Sequence, residues 1–309
     1  MWRFVLKRVL TIIPIMLGTT FIVFSIMSFA PGDAVGMLAA DASQEEKAAL
    51  RQELGLDDPL LIQYARYIKN LLLGDMGISY KSGAPVTEEL AARIPYTALL
   101  AVVASIITII LAIPLGVIAA IRQNTFFDTS SMVFCLLGIS IPPFWLGLLL
   151  ILSFGVKLKM LPVSGSGSWA HLIMPAITQS VAGLATIARV TRSSMLEVIR
   201  QDYIRTARAK GIAYNQVIRR HALKNSLLPT ITVAGLQVGA LLSGAVVTET
   251  VFSWPGIGRF LVSSISWRDT PCVLGCVVIF VLTFSIINLI VDILYGFVDP
   301  RIKAIYKKA

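Results

Sequence analysis

Long apolar runs alternate with short charged segments through most of this chain. The first run, from about Val9 to Ala30, follows the basic residues Arg3, Lys7 and Arg8. A secretory h-region holds about 7–15 apolar residues. This run is longer and matches the ~20 residues that cross a bilayer as a helix, so it predicts an uncleaved transmembrane span. Five more spans are predicted near 96–121, 130–156, 172–191, 229–251 and 272–298. Gln179, Ser180 and Thr186 dilute the fourth, and Pro114 kinks the second.

Two polar segments interrupt this pattern. Residues 31–95 carry six Lys/Arg against ten Asp/Glu. Ser43-Gln44-Glu45-Glu46 reads as a capping box that opens a short helix, which Gly55 stops. Asp58-Pro59 opens a second helix with proline at its first position. Its apolar stripe is Leu60, Leu61, Tyr64, Tyr67, Ile68, Leu71 and Leu72. The segment is therefore a small helical excursion rather than a linker. The other polar segment runs from Arg192 to Pro229. Between Arg192 and Lys224 it holds eight Lys/Arg against Glu197 and Asp202. Met195, Ile199, Tyr203 and Ala207 recur in it at helical spacing, which predicts a helical element at the membrane surface.

Six spans put both termini on one side. That side carries 16 Lys/Arg: three before the first span, Arg122, eight in 192–224, and Arg301, Lys303, Lys307 and Lys308. The two short loops opposite hold four. The imbalance predicts cytoplasmic termini and a cytoplasmic 192–228 loop. The chain divides into a tail and first span (1–30), an extracytoplasmic excursion (31–95), a transmembrane core (96–298) and a cytoplasmic tail (299–309). The net charge of +10 belongs to this topological bias and not to nucleic-acid binding. Charged residues make up 14% of the chain, against about 25% in soluble domains. Cys135, Cys272 and Cys276 all lie in apolar stretches and read as buried thiols. No metal site is expected.

No Gly-Lys pair occurs, so the chain lacks a phosphate loop with which to hydrolyse ATP. His171 and His221 are the only histidines, and Gly165-Ser166-Gly167-Ser168 beside His171 reads as a flexible loop. A catalytic pair needs fixed geometry that such a loop does not supply. Glu249 and Asp292 are the acidic residues within spans, each near an end, where they can snorkel or cap. The absence of such groups at mid-depth argues against a secondary transporter. Pro142-Pro143 fall at the centre of the third span, in Gly138-Ile139-Ser140-Ile141-Pro142-Pro143-Phe144-Trp145. Two prolines in succession break a helix. A broken span at mid-depth marks either a substrate path or a packing kink. Ser140, Pro142, Pro143 and Trp145 are candidates for that path. Gly235, Gly239 and Ser243 recur every four residues in the fifth span, which favours close helix contact. Gly239 and Ser243 are path candidates only if that contact is adjustable.

These residues resemble the permease subunits of bacterial ABC importers, in the dipeptide/oligopeptide/nickel branch. The similarity rests on Pro31-Gly32-Asp33, Leu54-Gly55-Leu56-Asp57-Asp58-Pro59-Leu60 and Gly74-Asp75-Met76-Gly77-Ile78-Ser79. It continues in Glu249-Thr250-Val251-Phe252-Ser253-Trp254-Pro255-Gly256, Asn288-Leu289-Ile290-Val291-Asp292 and Asp299-Pro300-Arg301. Asp202-Tyr203-Ile204-Arg205-Thr206-Ala207-Arg208-Ala209-Lys210-Gly211 resembles the branch's ATPase-docking loop, with Arg205-Thr206-Ala207 where the general pattern has Glu-Ala-Ala. The resemblance implies an all-α membrane protein with the type I ABC importer permease fold. It implies coupling through Asp202, Tyr203, Arg205, Thr206, Ala207, Arg208, Ala209, Lys210 and Gly211, carried on a helix from about Asp202 to Tyr214. It also implies an outer gate at Glu249, Trp254, Pro255 and Gly256. The implied partners are a second permease, two ATPase subunits that bind ATP and Mg, an extracytoplasmic binding protein and membrane lipid. No cofactor is expected on this chain and no catalysis by it. Di- and oligopeptides are the leading cargo, with nickel chelates, glutathione or sugar-derived solutes as alternatives.

Overall fold

The computed structural model describes residues 2–30, 35–36 and 43–298, and within them every side chain but those of 2–4, 242–244 and 294–298. The tail 299–309, the motifs Pro31-Gly32-Asp33 and Asp299-Pro300-Arg301, and the side chain of Ser243 lie outside the described residues.

The chain opens with α1 (Trp2–Phe29), the first apolar run. The excursion holds α2 (Gln44–Glu53) and α3 (Leu60–Leu72). The capping box forms as expected: the Ser43 amide donates to the Glu46 carboxylate at 2.8 Å, and the Glu46 amide donates to the Ser43 hydroxyl at 3.3 Å. These bonds hold the Glu46 carboxyl below the usual range, the backbone one contributing most. Gly55, at φ +63°, ends α2 in the left-handed region. Its amide bonds the Gln52 carbonyl and that of Leu56 bonds Arg51. Pro59 sits one position earlier than expected, at the N-cap of α3.

The bundle follows as α4 (Val86–Ala91), α5 (Ile94–Ile121), α6 (Phe126–Ser140), α7 (Pro143–Leu150), α8 (Trp169–Ile199), α9 (Asp202–Ala209), α10 (Leu223–Gly244), α11 (Val246–Val251), α12 (Ile257–Ser266) and α13 (Thr270–Val298). Among the described residues α1, α8, α13 and the α4–α5 stretch are each long and apolar enough to cross a membrane. The predicted third span is bent by 100° between α6 and α7, and counts as a fifth crossing if the pair is one span. Proline explains the bend. Ile141 is extended (ψ 120°), Pro142 caps α7, and Pro143 takes the first helical position, where no amide is needed. A π-helical turn, Ile151–Lys157, completes the segment. The predicted fifth span is α10 followed by α11, interrupted at Ala245.

The diluted fourth run makes α8, the central helix, packed by α5, α6, α7 and α10. Its polar residues explain why it reads weakly as a span: Gln179 and Ser180 are buried against neighbouring helices rather than facing lipid. Gly116 allows α5 to touch it, since a Cβ there would fall 2.5 Å from the Ala188 carbonyl oxygen and 2.7 Å from Thr191 Cβ. Gly239 also faces α13, but its Cβ position, 3.4 Å from Ile287 and Phe284, is at ordinary contact distance. The Gly235 position lies against Val291 with no room for a side chain.

Candidate functional site

Three places carry the candidate residues. The first lies between α8 and α10. α9 is amphipathic: Ile204 and Ala207 are buried with Ala120, Met195, Val217, Ile218 and Ala222 in one apolar cluster. The expected stripe holds at Met195, Ile199 and Ala207, which share this cluster, but not at Tyr203. The helix stops at Ile199 and restarts at Asp202, which shifts the register. Ile204 therefore faces inward, and Tyr203 is 42% exposed, its hydroxyl accepting from the Asn225 amide at 2.7 Å.

The expected helix from Asp202 to Tyr214 is also shorter than read. It ends at Ala209 because Gly211 adopts φ +77°, a left-handed position that only glycine takes freely. Its amide bonds the Arg208 carbonyl at 3.0 Å, and a Cβ there would meet nothing within 4 Å. Gly211 thus makes a turn and not a close backbone approach. A helical turn at Tyr214–Gln216 and a π-helical turn at Val217–Ala222 lead into α10. Asp202, Tyr203, Arg205, Thr206, Arg208, Ala209, Lys210 and Gly211 all face outward, and Ala207 faces in. Arg205 and Asp202 stand 3.8 Å apart and almost fully solvated, so their attraction holds nothing in place.

The loop's root is fixed more firmly. Arg192 on α8 grips Asp128 in the first turn of α6 with two parallel bonds, Nε–Oδ1 at 2.6 Å and Nη2–Oδ2 at 2.7 Å. Asp128 is buried and also accepts the Asn124 amide at 3.0 Å. A bidentate, charge-assisted pair of this kind sets both position and orientation. It ties the loop to α6, whose far end is the Pro142-Pro143 elbow.

The second place is that elbow. Ser140, Pro142, Pro143 and Trp145 come together there and are exposed, Trp145 at 47%. Gly239, by contrast, is a packing position against α13.

The third is a buried polar knot at the opposite end from the loop. Glu249 is fully buried, so the expectation that it snorkels is wrong and its capping alternative holds. Its carboxylate accepts the Thr97 hydroxyl at 2.7 Å and the Arg259 amide at 3.0 Å, in the first turn of α12. A carboxylate is favoured at a helix N-terminus. The Thr97 hydroxyl in turn accepts the Ile257 amide at 2.8 Å. Trp254 is 2% exposed and donates its indole N–H to the Tyr96 carbonyl at 2.9 Å. Gly256 lies directly over the Glu249 carboxylate, leaving no space for a Cβ. Glu249, Trp254 and Gly256 are thus brought together, with Pro255 between the latter two. The knot joins α5, α11 and α12.

This arrangement matches known transport proteins along the whole chain. Residues 112–304 match the family model described as binding-protein-dependent transport system inner membrane component, and 1–101 match the model for its N-terminal part. The chain belongs to that family. It is 43% identical to the dipeptide transport system permease protein DppB of Escherichia coli K12, across 98% of this chain and 99% of that one. The DppB protein of Alkalihalophilus pseudofirmus is 41% identical over 98% and 100%. The glutathione transport system permease protein GsiC of Salmonella typhimurium LT2 is 42% identical over 98% and 99%. Among solved structures, an inward-facing MetNI methionine ABC transporter aligns with TM-score 0.55 at 17% identity, covering 69% of this chain and 97% of that chain. An amino acid ABC transporter aligns at 0.53 and 12%, covering 70% and 94%. The fold is that of an ABC transporter permease, and the chain is a membrane transport subunit.

Sequence reading passed over several residues that hold the family member's sites together. Thr125-x-x-Asp128 has the form of a helix start, and Thr125 does accept the Asp128 amide, but nothing local points to Arg192. Asp269, just before α13, accepts the Ser79 hydroxyl at 2.6 Å and the Lys81 amide at 3.3 Å. It pins the end of the excursion to the bundle. Its place at a helix start was a usable signal. Thr97, within an apolar run, offered none.

Proposed function

We propose that this permease crosses the inner membrane six times, with both termini in the cytoplasm, and forms half of an ATP-driven path that imports dipeptides and short peptides. The observation that carries the substrate class is the 43% identity to a dipeptide permease over essentially both full chains. The topology is supported by the Arg8–Asp292 ion pair at 2.9 Å, which joins the beginning of α1 to the end of α13. Basic residues on that side then face the cytoplasm. A second homologous permease supplies the other half of the path, an extracytoplasmic binding protein delivers the cargo, and two ATPase subunits supply the work. Glutathione, itself a small peptide, is the second reading, favoured by the 42% identity to GsiC. Uptake of labelled dialanine by liposomes holding the complete complex tests this: it requires internal ATP and is competed by other dipeptides. Competition by glutathione alone would transfer the reading to that cargo, and ATP-independent uptake would overturn the importer assignment.

The ATPase subunits dock on the outward face of α9 and the Gly211 turn, and their closure moves α9 with the cluster beneath it. Ser140, Pro142, Pro143 and Trp145 border the path, and the Glu249 knot closes it on the outside. Gly211→Asp tests the docking face. Aspartate tolerates the left-handed region better than most residues, and the site has open space around it. The turn therefore survives while a negative charge enters a basic surface. The variant assembles, yet ATP hydrolysis no longer drives uptake. Wild-type uptake by Gly211→Asp would remove Gly211 from the docking face.

A further inference from the structure

The excursion helix α3 stands at a depth that an extracytoplasmic domain does not reach. Tyr64 donates its hydroxyl to the Leu17 carbonyl of α1 at 2.7 Å and lies 3.0 Å from the Thr20 hydroxyl. Its ring packs edge-on against Phe21, centroids 5.1 Å apart, and against Phe24 at 5.7 Å. Leu17 is 12 residues before Phe29, the outer end of α1. At about 1.5 Å per residue, that is some 18 Å along the helix. The hydrocarbon core is only about 30 Å thick. The Tyr64 hydroxyl thus reaches close to mid-depth, where a polar group needs a protein partner and here has two.

The other faces of α3 agree with that depth. Leu61, Ala65 and Leu72 line one flank at helical spacing, and Leu73 follows. Leu61 is 67% exposed, and Leu72 and Leu73 are 79% and 78% exposed. Lys69 lies beside Ala65 and Leu72, where its long stem adds to the apolar flank, and Arg66 turns away to pair with Asp58. Ile22 and Ile26, on the face of α1 away from Tyr64, are likewise exposed apolar residues of that predicted span.

We propose that α3 is embedded in the extracytoplasmic leaflet of the bilayer, with Leu61, Ala65, Leu72 and Leu73 against phospholipid acyl chains. The inference rests on the membrane orientation of α1 given above. An embedded α3 anchors the excursion to the lipid, so that Asp269 and Ser79 hold its far end at a fixed height over the bundle.

A nitroxide on Leu72→Cys, in the complete complex reconstituted in phosphatidylcholine/phosphatidylglycerol vesicles, tests this through collision with oxygen and with a water-soluble nickel chelate. Native Cys135, Cys272 and Cys276 are buried, and the unsubstituted chain gives the labelling background. Ile26→Cys is the lipid reference and Glu53→Cys, on α2, the aqueous one. The expected oxygen-to-nickel accessibility ratio at Leu72 is severalfold above that at Glu53 and close to that at Ile26. A ratio at Leu72 equal to that at Glu53 would make α3 aqueous and overturn the inference while leaving the topology intact. Low accessibility to both reagents would mean that a second permease or the binding protein covers the flank, which also overturns it. An aqueous reading at Ile26 would overturn both the topology and the inference. Leu61→Cys carries the measurement if Leu72→Cys does not assemble.

Discussion

Asp128→Ala is expected to destabilise the permease by about 3 kcal/mol and to lower peptide uptake more than ATP hydrolysis. Removing one partner of a buried ion pair costs about 3–5 kcal/mol because the other charge is left uncompensated. Arg192 keeps 24% of its side chain exposed, so it can partly rehydrate, and the lower end applies. The Asn124 amide loses its acceptor as well. The functional effect has a mechanical origin. α6 runs from Asp128 to the elbow at Pro142-Pro143, and if α9 is the docking helix, the Arg192 grip makes α6 move with it. Without the grip, α9 can respond to ATPase closure while α6 stays behind. A double-mutant cycle with Arg192→Ala isolates the pair. Strong coupling appears as a double variant less damaged than the sum of the singles. Additive losses in the melting temperature would deny the pair any linking role, and equal losses of uptake and hydrolysis would confine it to folding.

What sequence could and could not give follows from the range of the interactions. The Ser43–Glu46 box, the Gly55 stop and the Pro142-Pro143 break are set within a few residues, and each formed where the pattern placed it. Glycines in the fifth span signalled close packing, and Gly235 and Gly239 do lie against α13. The stripe read from Met195 to Ala207 holds at Met195, Ile199 and Ala207 but fails at Tyr203, because the break at Arg200-Gln201 turns Ile204 inward in its place. Periodicity counted across a break loses single positions. Pairs such as Asp128–Arg192, Thr97–Glu249 and Ser79–Asp269 join residues far apart in the chain. Each member alone looks like an ordinary polar residue near a span end. Glu249 was read as interfacial for this reason: only the arrival of Thr97 and the α12 amides makes a buried carboxylate tolerable.

The outer knot gives the other large effect. Glu249→Ala is expected to cost about 3–5 kcal/mol, since the Thr97 hydroxyl and the Arg259 amide both lose their acceptor and an unsatisfied buried donor costs about 1–3 kcal/mol. Glu249→Gln is milder. Its carbonyl can serve the Arg259 amide, and its amide group can donate to the Thr97 oxygen, which has a second lone pair beyond the one taken by Ile257. Gly256→Ala attacks the same knot from the other side. Its backbone is extended (φ −91°, ψ −179°), so the conformation suits any residue. Space is what fails, because a methyl group would occupy the position of the carboxylate. Overpacking of this kind costs about 1–3 kcal/mol, and here it must also displace a hydrogen-bonded anion. If the knot is the outer closure, both Glu249→Ala and Gly256→Ala let preloaded dipeptide leak from liposomes without ATP, and Glu249→Gln does not. Tight liposomes with all three variants would place the closure elsewhere. A leak with Glu249→Gln equal to that with alanine would mean that negative charge, and not the shape of the hydrogen-bonded network, holds α5, α11 and α12 together.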